Sequence, residues 1–416
     1  MSPDETTTTT TAPAASALDQ VAREILDGIR ARGTHRHMRV LDGPQAPRMK
    51  VDGRDCLLLA GSNYLDLAHH PEVTEAAAEA ARRYGCAAGG SRLITGNLEL
   101  HEALERELAE FIGTEAALAF GTGYMANVGV IPALVGRGDV LISDSLNPAS
   151  IIDGAKLSKA SVEVIGHGDT GELERVVARA RAEGRRCLLA LDGVYSMDGH
   201  MPPLGEMLSV AKRHGCMTLL DDAHGTGTLG AHGRGSGEHQ GVLDMVDVYM
   251  GTLGKALGAF GAFVAGSALM RDLLVNTARS FIFSCALSPP QVASARAALS
   301  LVRREPGRRV ALQMRATQLR QRLAEAGVST SPSTTQIVPV VIGDNATTMA
   351  VCEELLGRGF YAQGIRFPSV PEGTARLRIT PMATHTEAEI DAFVTVLVEI
   401  LGRRAPEVLQ QLQATA

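Results

Sequence analysis

The stretch TLLDDAHGTGTLG, Thr218 to Gly230, decides how this chain is read. It opens on an apolar run and closes on G-T-G-T-L-G, a literal match to the glycine fingerprint of dinucleotide-binding loops. Two aspartates and a histidine stand between. Either the glycines cradle a pyrophosphate, or the acids and the histidine carry the chemistry. The fingerprint needs its first glycine at a strand's end and its last at a helix's start. Here Asp221 to His224 separate the apolar run from Gly225. The next segment, AHGRGSGEHQ, adds three glycines and no apolar periodicity, so it reads as loop. A six-residue match in a chain with 44 glycines is weak evidence. The acids and the histidine are the better reading.

Working outward, the apolar runs AALAF (116–120), DVLIS (139–143), CLLAL (187–191), CMTLL (216–220) and VDVYM (246–250) read as buried strands. Helix-patterned segments such as GELERVVARARAEG lie between them. This is the signature of an α/β fold with a doubly wound, mostly parallel sheet. In LELHEALERELAEFIG, Leu100, Leu104, Leu108 and Phe111 share a helical face, and Gly113 is the stop. From about Pro289 the pattern changes to long helices, the alternating strands TQIVPVVIG and ARLRIT, and a final helix over about 387–401. The expected organisation is a disordered Thr-rich tail (1–17), an N-terminal helix and strand segment (18–60), a large α/β domain (61–290) and a small α+β domain (291–416). There is no internal repeat.

The bulk numbers exclude some classes. Net charge is −6 over 416 residues, so no basic footprint argues for nucleic acid. No apolar run approaches the length of a membrane span. The N-terminus has neither a basic n-region nor an apolar h-region, and the six cysteines are scattered without C-x-x-C. These features fit a cytoplasmic protein with free thiols and no metal framework.

Ligands of doubly wound sheets bind beyond the carboxyl ends of the strands. This chain puts Asp192, Asp221, Asp222 and GTLGK there. An isolated lysine is usually a surface residue. Lys255, however, lies in VYMGTLGKALGAFGAFVAG, a segment almost free of charge, which suits an amine used for Schiff-base chemistry. A pyridoxal 5'-phosphate site needs that lysine, an acid for the ring nitrogen, and donors for the ring oxygen and the phosphate. Asp221 can supply the acid. His224, three residues on, can reach the ring oxygen, with Ser196 in GVYSMDG as a second candidate. Thr252 and the backbone of GTGYMAN (121–127), at the start of an expected helix, suit the phosphate.

With those residues in place, the chain resembles the α-oxoamine synthases, pyridoxal-phosphate enzymes of fold type I. The likeness runs from about Leu57 to Leu401 through NYLDLAHHPEV, GGSRLITGNLELHEALE, GTGYMAN, DSLNPASIIDGAKLS, LDGVYSMDG, LLDDAHGTGTLG, GTLGKALG, FIFSCALSPP and VPEGTARLRIT, in that order. The resemblance implies that Lys255 binds the cofactor covalently and later moves the α-proton. It implies that Asp221 pairs with the ring nitrogen, that His224 and Ser196 serve the ring oxygen, and that Gly123, Tyr124 and Thr252 serve the phosphate. Ser284 looks like a phosphate contact lent by a neighbouring subunit, which implies a homodimer with a shared site. Strand alternation puts Arg376 and Arg378 on one face and does not choose between them; the resemblance chooses Arg378 as the clamp for the amino-acid carboxylate. It also marks Arg366 as a mobile second arginine and puts Ser62 and Ser369 at the substrate. The implied reaction is a decarboxylative condensation of a small amino acid with an acyl thioester, carried by coenzyme A or an acyl carrier protein, to an α-aminoketone. Other fold type I chemistry, such as transamination or aldol cleavage, and a non-catalytic partner subunit are the alternatives. The retained Lys255, Asp221 and His224 argue against the partner subunit.

Three departures stand out. LNPAS puts Pro148 where the family usually has a histidine lying over the cofactor ring. Either one ring face has lost its imidazole and proline packs there, or the helix start has shifted and another group covers the ring. Ser62 stands where asparagine often touches the substrate carboxylate, and Asp66 where glycine is usual. Asp192, where either acid is common in the family, reads as a support for the site. His69, His70 and His101 read as structural residues.

Overall fold

The computed structural model describes residues 16–412, so residues 1–15 of the expected tail lie outside the described residues. Ser16 caps a helix, Ala17–Ala31. The strands, in chain order, are β1 (Leu41–Asp42), β2 (Arg48–Val51), β3 (Arg54–Leu58), β4 (Ala116–Phe120), β5 (Val140–Asp144), β6 (Ser161–Ile165), β7 (Cys187–Asp192), β8 (Met217–Asp221), β9 (Val248–Thr252), β10 (Ala262–Gly266), β11 (Val338–Gly343), β12 (Phe360–Tyr361), β13 (Gln363–Ile365) and β14 (Ala375–Ile379). Among the described residues they form three sheets.

The large sheet has the order β4-β10-β9-β8-β7-β5-β6. The pairs from β9 to β6 are parallel; β10 runs antiparallel to both β4 and β9. Alternate residues feed two cores. Leu189, Leu191, Leu220, Tyr249 and Phe263 face one, and Leu188, Ala190, Leu219, Met250 and Val264 the other. Burial on both faces is why these strands read as unbroken apolar runs. β6 and β10 are not among the expected strands. β6 is an edge strand with mostly exposed or half-buried residues. β10 lies in the glycine-rich segment after Lys255, which masks it.

The apolar run of Thr218–Gly230 becomes β8, and the chain beyond it turns rather than entering a long helix. Thr226 and Arg234 form an isolated bridge, and the next helix, Ser236–His239, has four residues. The glycine fingerprint therefore lacks its helix.

The C-terminal sheet has the order β11-β14-β13, and β3 pairs in parallel with β12. Leu57 and Leu59 share a core with Val338, Leu377 and Phe393. The N-terminal strand segment is thus packed onto the C-terminal part of the chain.

A buried histidine ties this part to the centre. Met382 N–H donates to His385 Nδ1 at 2.8 Å, and Ala383 N–H donates to the Tyr64 carbonyl at 2.8 Å. Burial holds the His385 pKa down to about 4, against the pull of Glu389 and Asp66. Below pH 6.5 the unfolded chain binds a proton that the folded chain refuses, so this contribution to stability is full at neutral pH and lost as pH falls toward 4. Urea unfolding should show it. The wild type is expected to lose about 2 kcal/mol more between pH 7 and pH 5 than His385→Asn. Equal losses would mean that His385 is not the group responsible.

Candidate active site

The site is built where β7, β8 and β9 end. Asp221 is the last residue of β8, and Lys255 follows β9 in a loop whose Leu253, Ala256 and Leu257 are buried. The expectation of a packed loop holds. Gly258 makes it possible: its φ is +61°, and a Cβ there would lie 2.4 Å from the Ala68 nitrogen.

Lys255 Nζ lies 3.1 Å from His224 Nε2, and His224 Nδ1 lies 2.7 Å from the Tyr64 hydroxyl. Arg378 Nη2 donates to that hydroxyl at 3.2 Å, and its Nε donates to the Ser196 carbonyl at 2.5 Å. Burial drives the His224 pKa well down, and the Lys255 and Arg378 cations push the same way. The imidazole is therefore neutral. Its Nε2 faces Lys255 and its Nδ1 faces Tyr64, so the tautomer that donates from Nε2 accepts from the Tyr64 hydroxyl at Nδ1.

Asp221 is buried. Its carboxylate accepts from Asn127 Nδ2 at 2.7 Å and from Ala223 N–H at 3.2 Å. Burial pushes its pKa up; Lys255 and the Asn127 amide oppose that. Asn127 comes from the helix Gly123–Leu134, whose cap is the Thr122 side chain. The first N–H groups of that helix, at Gly123 and Tyr124, have no carbonyl partner within it. A Cβ on Gly123 would sit 3.0 Å from Thr252 Cγ2, so the helix start and Thr252 are in close contact. Thr252 Oγ1 donates to the Ala223 carbonyl at 3.0 Å. The Tyr124 side chain is half-exposed, its hydroxyl donating to Asp153 at 2.7 Å.

These residues fit pyridoxal phosphate. A buried carboxylate with a nearby lysine suits a protonated ring nitrogen. A neutral histidine on the lysine suits the ring oxygen. A helix start with free N–H groups suits the phosphate.

Other expected residues lie apart from this cluster. The Ser284 hydroxyl donates to the Ser280 carbonyl, and Ser280 Oγ donates to the Met125 carbonyl at 2.5 Å, which places this segment beside the helix start. Arg366 donates to the carbonyls of Gly33 at 2.9 Å and His35 at 3.2 Å, and Ser369 is exposed beside it. Ser62 is half-buried, on the segment that leads to Tyr64. Pro148 is the N-cap of the helix Ala149–Ser158, half-buried, with φ −69°. Arg376 pairs with Asp198, whereas Arg378 reaches Tyr64. Nη1 of Arg378 has no partner among the described residues. Of the residues expected to be structural, His101 is buried, with Nε2 2.9 Å from the Leu287 carbonyl.

Two members of the cluster escape sequence reasoning. Asn127 lies in GTGYMAN, where only the backbone stands out. Tyr64 lies in NYLDL and looks like a core residue. Each meets its partner across long sequence separations, which spacing does not reveal.

The family model for class I and II aminotransferases matches residues 54–397. The chain is 50% identical over 377 residues to the 8-amino-7-oxononanoate synthase of Geobacter sulfurreducens, covering 90% of this chain and 96% of that one. It is 48% identical to the protein of the same name from Geotalea daltonii, covering 92% and 98%. Among solved structures it resembles the Sphingomonas wittichii serine palmitoyltransferase, with a TM-score of 0.88 at 33% identity over 95% of this chain and all of that one. Matches of this length, on a lysine, acid and histidine gathered at the ends of two adjacent strands, show that the chain belongs to the α-oxoamine synthases, the pyridoxal-phosphate-dependent acyltransferases within the class I and II aminotransferase family.

Proposed function

We propose that this chain joins alanine to a seven-carbon ω-carboxyacyl thioester, releasing carbon dioxide and the free thiol. The observation that carries the proposal is Lys255 Nζ on His224 beside buried Asp221, in a chain about half identical to 8-amino-7-oxononanoate synthases. The product in that name fixes the substrates of those relatives. Its amine-bearing carbon and terminal methyl are alanine less its carboxyl, attached to the carbonyl of a seven-carbon acid.

When bound, pyridoxal phosphate supplies an electron sink for the charge left on the α-carbon. The rest falls to the chain's own residues. Lys255 Nζ holds the cofactor, then takes the α-proton. The Asp221 carboxylate keeps the ring nitrogen protonated. His224 and Ser196 donate to the ring oxygen. The Gly123 and Tyr124 N–H groups and the Thr252 hydroxyl bind the phosphate. Arg378, with Nη1 open, takes the amino-acid carboxylate, and Pro148 packs on one ring face. Arg366, with Ser369 and Ser62, bounds the substrate entrance.

We further propose a homodimer. Leu93, Ile94, Phe260 and Phe283 are exposed, on the segments that carry the GGSRLITGN motif, follow Lys255 and precede Ser284. A second copy covering them would bring its Ser284 to the phosphate. Among the described residues no helix is long and apolar enough to cross a membrane, and we place the reaction in the cytoplasm.

The test is direct. Purified protein with added cofactor, alanine and the acyl thioester, carried on coenzyme A or an acyl carrier protein, is expected to release carbon dioxide and thiol in equal amounts. Lys255→Ala should abolish the reaction. Thiol release without carbon dioxide, or turnover without a thioester, would overturn the proposal. Arg378→Lys should raise the KM for alanine by roughly 10- to 100-fold, the loss of a charge-assisted hydrogen bond. Arg376→Lys should lower thermal stability but leave that KM within about threefold. The reverse pattern would assign the clamp to Arg376.

A further inference from the structure

Asp222 follows Asp221 at the end of β8, and alternation sends its side chain to the opposite face. No step of the proposed reaction uses it. It is fully buried. Its Oδ2 accepts from the Ser236 N–H at 2.6 Å and from the Tyr249 hydroxyl at 3.3 Å. Its Oδ1 has no hydrogen-bond partner, and neither does Ser236 Oγ. Burial pushes the Asp222 pKa up to about 7. The titratable groups facing it are Tyr249 from β9, Asp221 from its own strand and Asp192 from β7.

The surroundings of this carboxyl are glycine. A Cβ on Gly193 would lie 2.6 Å from Oδ1, one on Gly225 2.0 Å from Oδ1, and one on Gly235 1.8 Å from Oδ2. Three separate backbones therefore close on one side chain, and none of them leaves room for a methyl group. Gly193 begins the loop that carries Ser196. Gly225 is the residue after His224. Gly235 leads into Ser236, whose N–H is the carboxyl's best donor. The turn is also closed from within. The Thr226 hydroxyl donates to the Asp222 carbonyl at 2.7 Å and lies 2.7 Å from the Tyr249 hydroxyl.

We propose that Asp222 is a positioning residue: its carboxyl sets the distance between the Ser196 loop and the His224 turn, and so the hydrogen bonds that reach the cofactor's ring oxygen. This rests on the proposed roles of Ser196 and His224. Asparagine, neutral and of the same size, would keep its oxygen on the Ser236 and Tyr249 donors and set an amide NH2 in place of Oδ1 against the Gly193 and Gly225 backbones, moving them apart and shifting both donors while leaving Lys255, Asp221 and Arg378 in place.

The test uses the holoenzyme. Asp222→Asn is compared with wild type for kcat, KM for alanine, cofactor Kd and the pH midpoint of the bound cofactor's visible absorption, which responds to hydrogen bonds at the ring oxygen. The expected result is a midpoint shift of at least about half a pH unit and a kcat at least about tenfold lower, with KM within about threefold. Tyr249→Phe, which removes one donor to Oδ2, should shift the midpoint in the same direction by less, and it decides the matter if the Asn variant does not fold. An unchanged midpoint in the variant that folds, whatever its loss of thermal stability, would overturn the inference. A wild-type protein that develops no visible band with added cofactor would instead overturn the cofactor roles themselves, and this inference with them.

Discussion

Two buried carboxylates end adjacent parallel strands in register: Asp192 of β7 is paired with Asp221 of β8. Burial pushes both pKa values up, and the charge of Asp221 raises Asp192 further. Removing like charges from water side by side is costly unless cations and donors are close. The surrounding structure supplies them. Lys255 is held near by a packed loop, and Asn127 reaches Asp221 from a helix start. The Val194 N–H turns back onto Asp192 at 3.2 Å. In the proposed site a protonated ring nitrogen held by Asp221 would complete the compensation. Cofactor binding and the stability of the sheet's carboxyl edge are therefore one problem in electrostatics.

The scaffold is legible because its strands are buried on both faces. The run CLLAL has no polar residue to break it, VDVYM has only Asp247 just ahead of the strand, and their ends deliver Asp192 and Thr252 within a residue of where the sequence puts them. β10 is not legible for the opposite reason: glycines crowd the segment, and its pairing with β4 is settled by contacts more than 140 residues apart. The same contrast holds in the site. Lys255, Asp221 and His224 stand out because charge is rare in their surroundings. Tyr64 does not, since a tyrosine in an apolar stretch looks like core until Arg378 and His224 are seen to meet on its hydroxyl.

The departures from the family pattern have local physical explanations. Asp66, where glycine is usual, adopts a φ of +55°. Short polar side chains tolerate that region when they can bond locally. Here the Asp66 N–H donates to the Asn63 carbonyl at 2.9 Å, and Thr384 donates to its carboxylate at 2.7 Å. Pro148 has a φ natural to its ring and needs no donor, because the N-cap position it occupies lies ahead of the helix's first hydrogen-bonded turn. Both residues sit on backbone that their own side chains tolerate. In the proposed site Pro148 would offer a ring of C–H groups to one cofactor face, leaving the grip to Asp221 on the nitrogen and to the phosphate contacts.

That redistribution bears on specificity. The chain shares its backbone with serine palmitoyltransferases at about a third identity and shares about half its residues with 8-amino-7-oxononanoate synthases. The names of these relatives imply different acyl chains on one scaffold, so in the proposed function Lys255, Asp221 and His224, which serve the cofactor, are not what chooses among them. The choice has to be made where the chain bounds the substrate rather than the ring. Arg366, proposed to bound the substrate entrance, is not committed to a carboxylate: it rests on the carbonyls of Gly33 and His35, weaker partners than an anion would be. An acyl chain ending in a carboxylate offers a better partner than two carbonyls; an alkyl chain offers none. A cation resting on carbonyls alone is thus a reason to prefer the ω-carboxyacyl substrate of the proposed function over a plain fatty one.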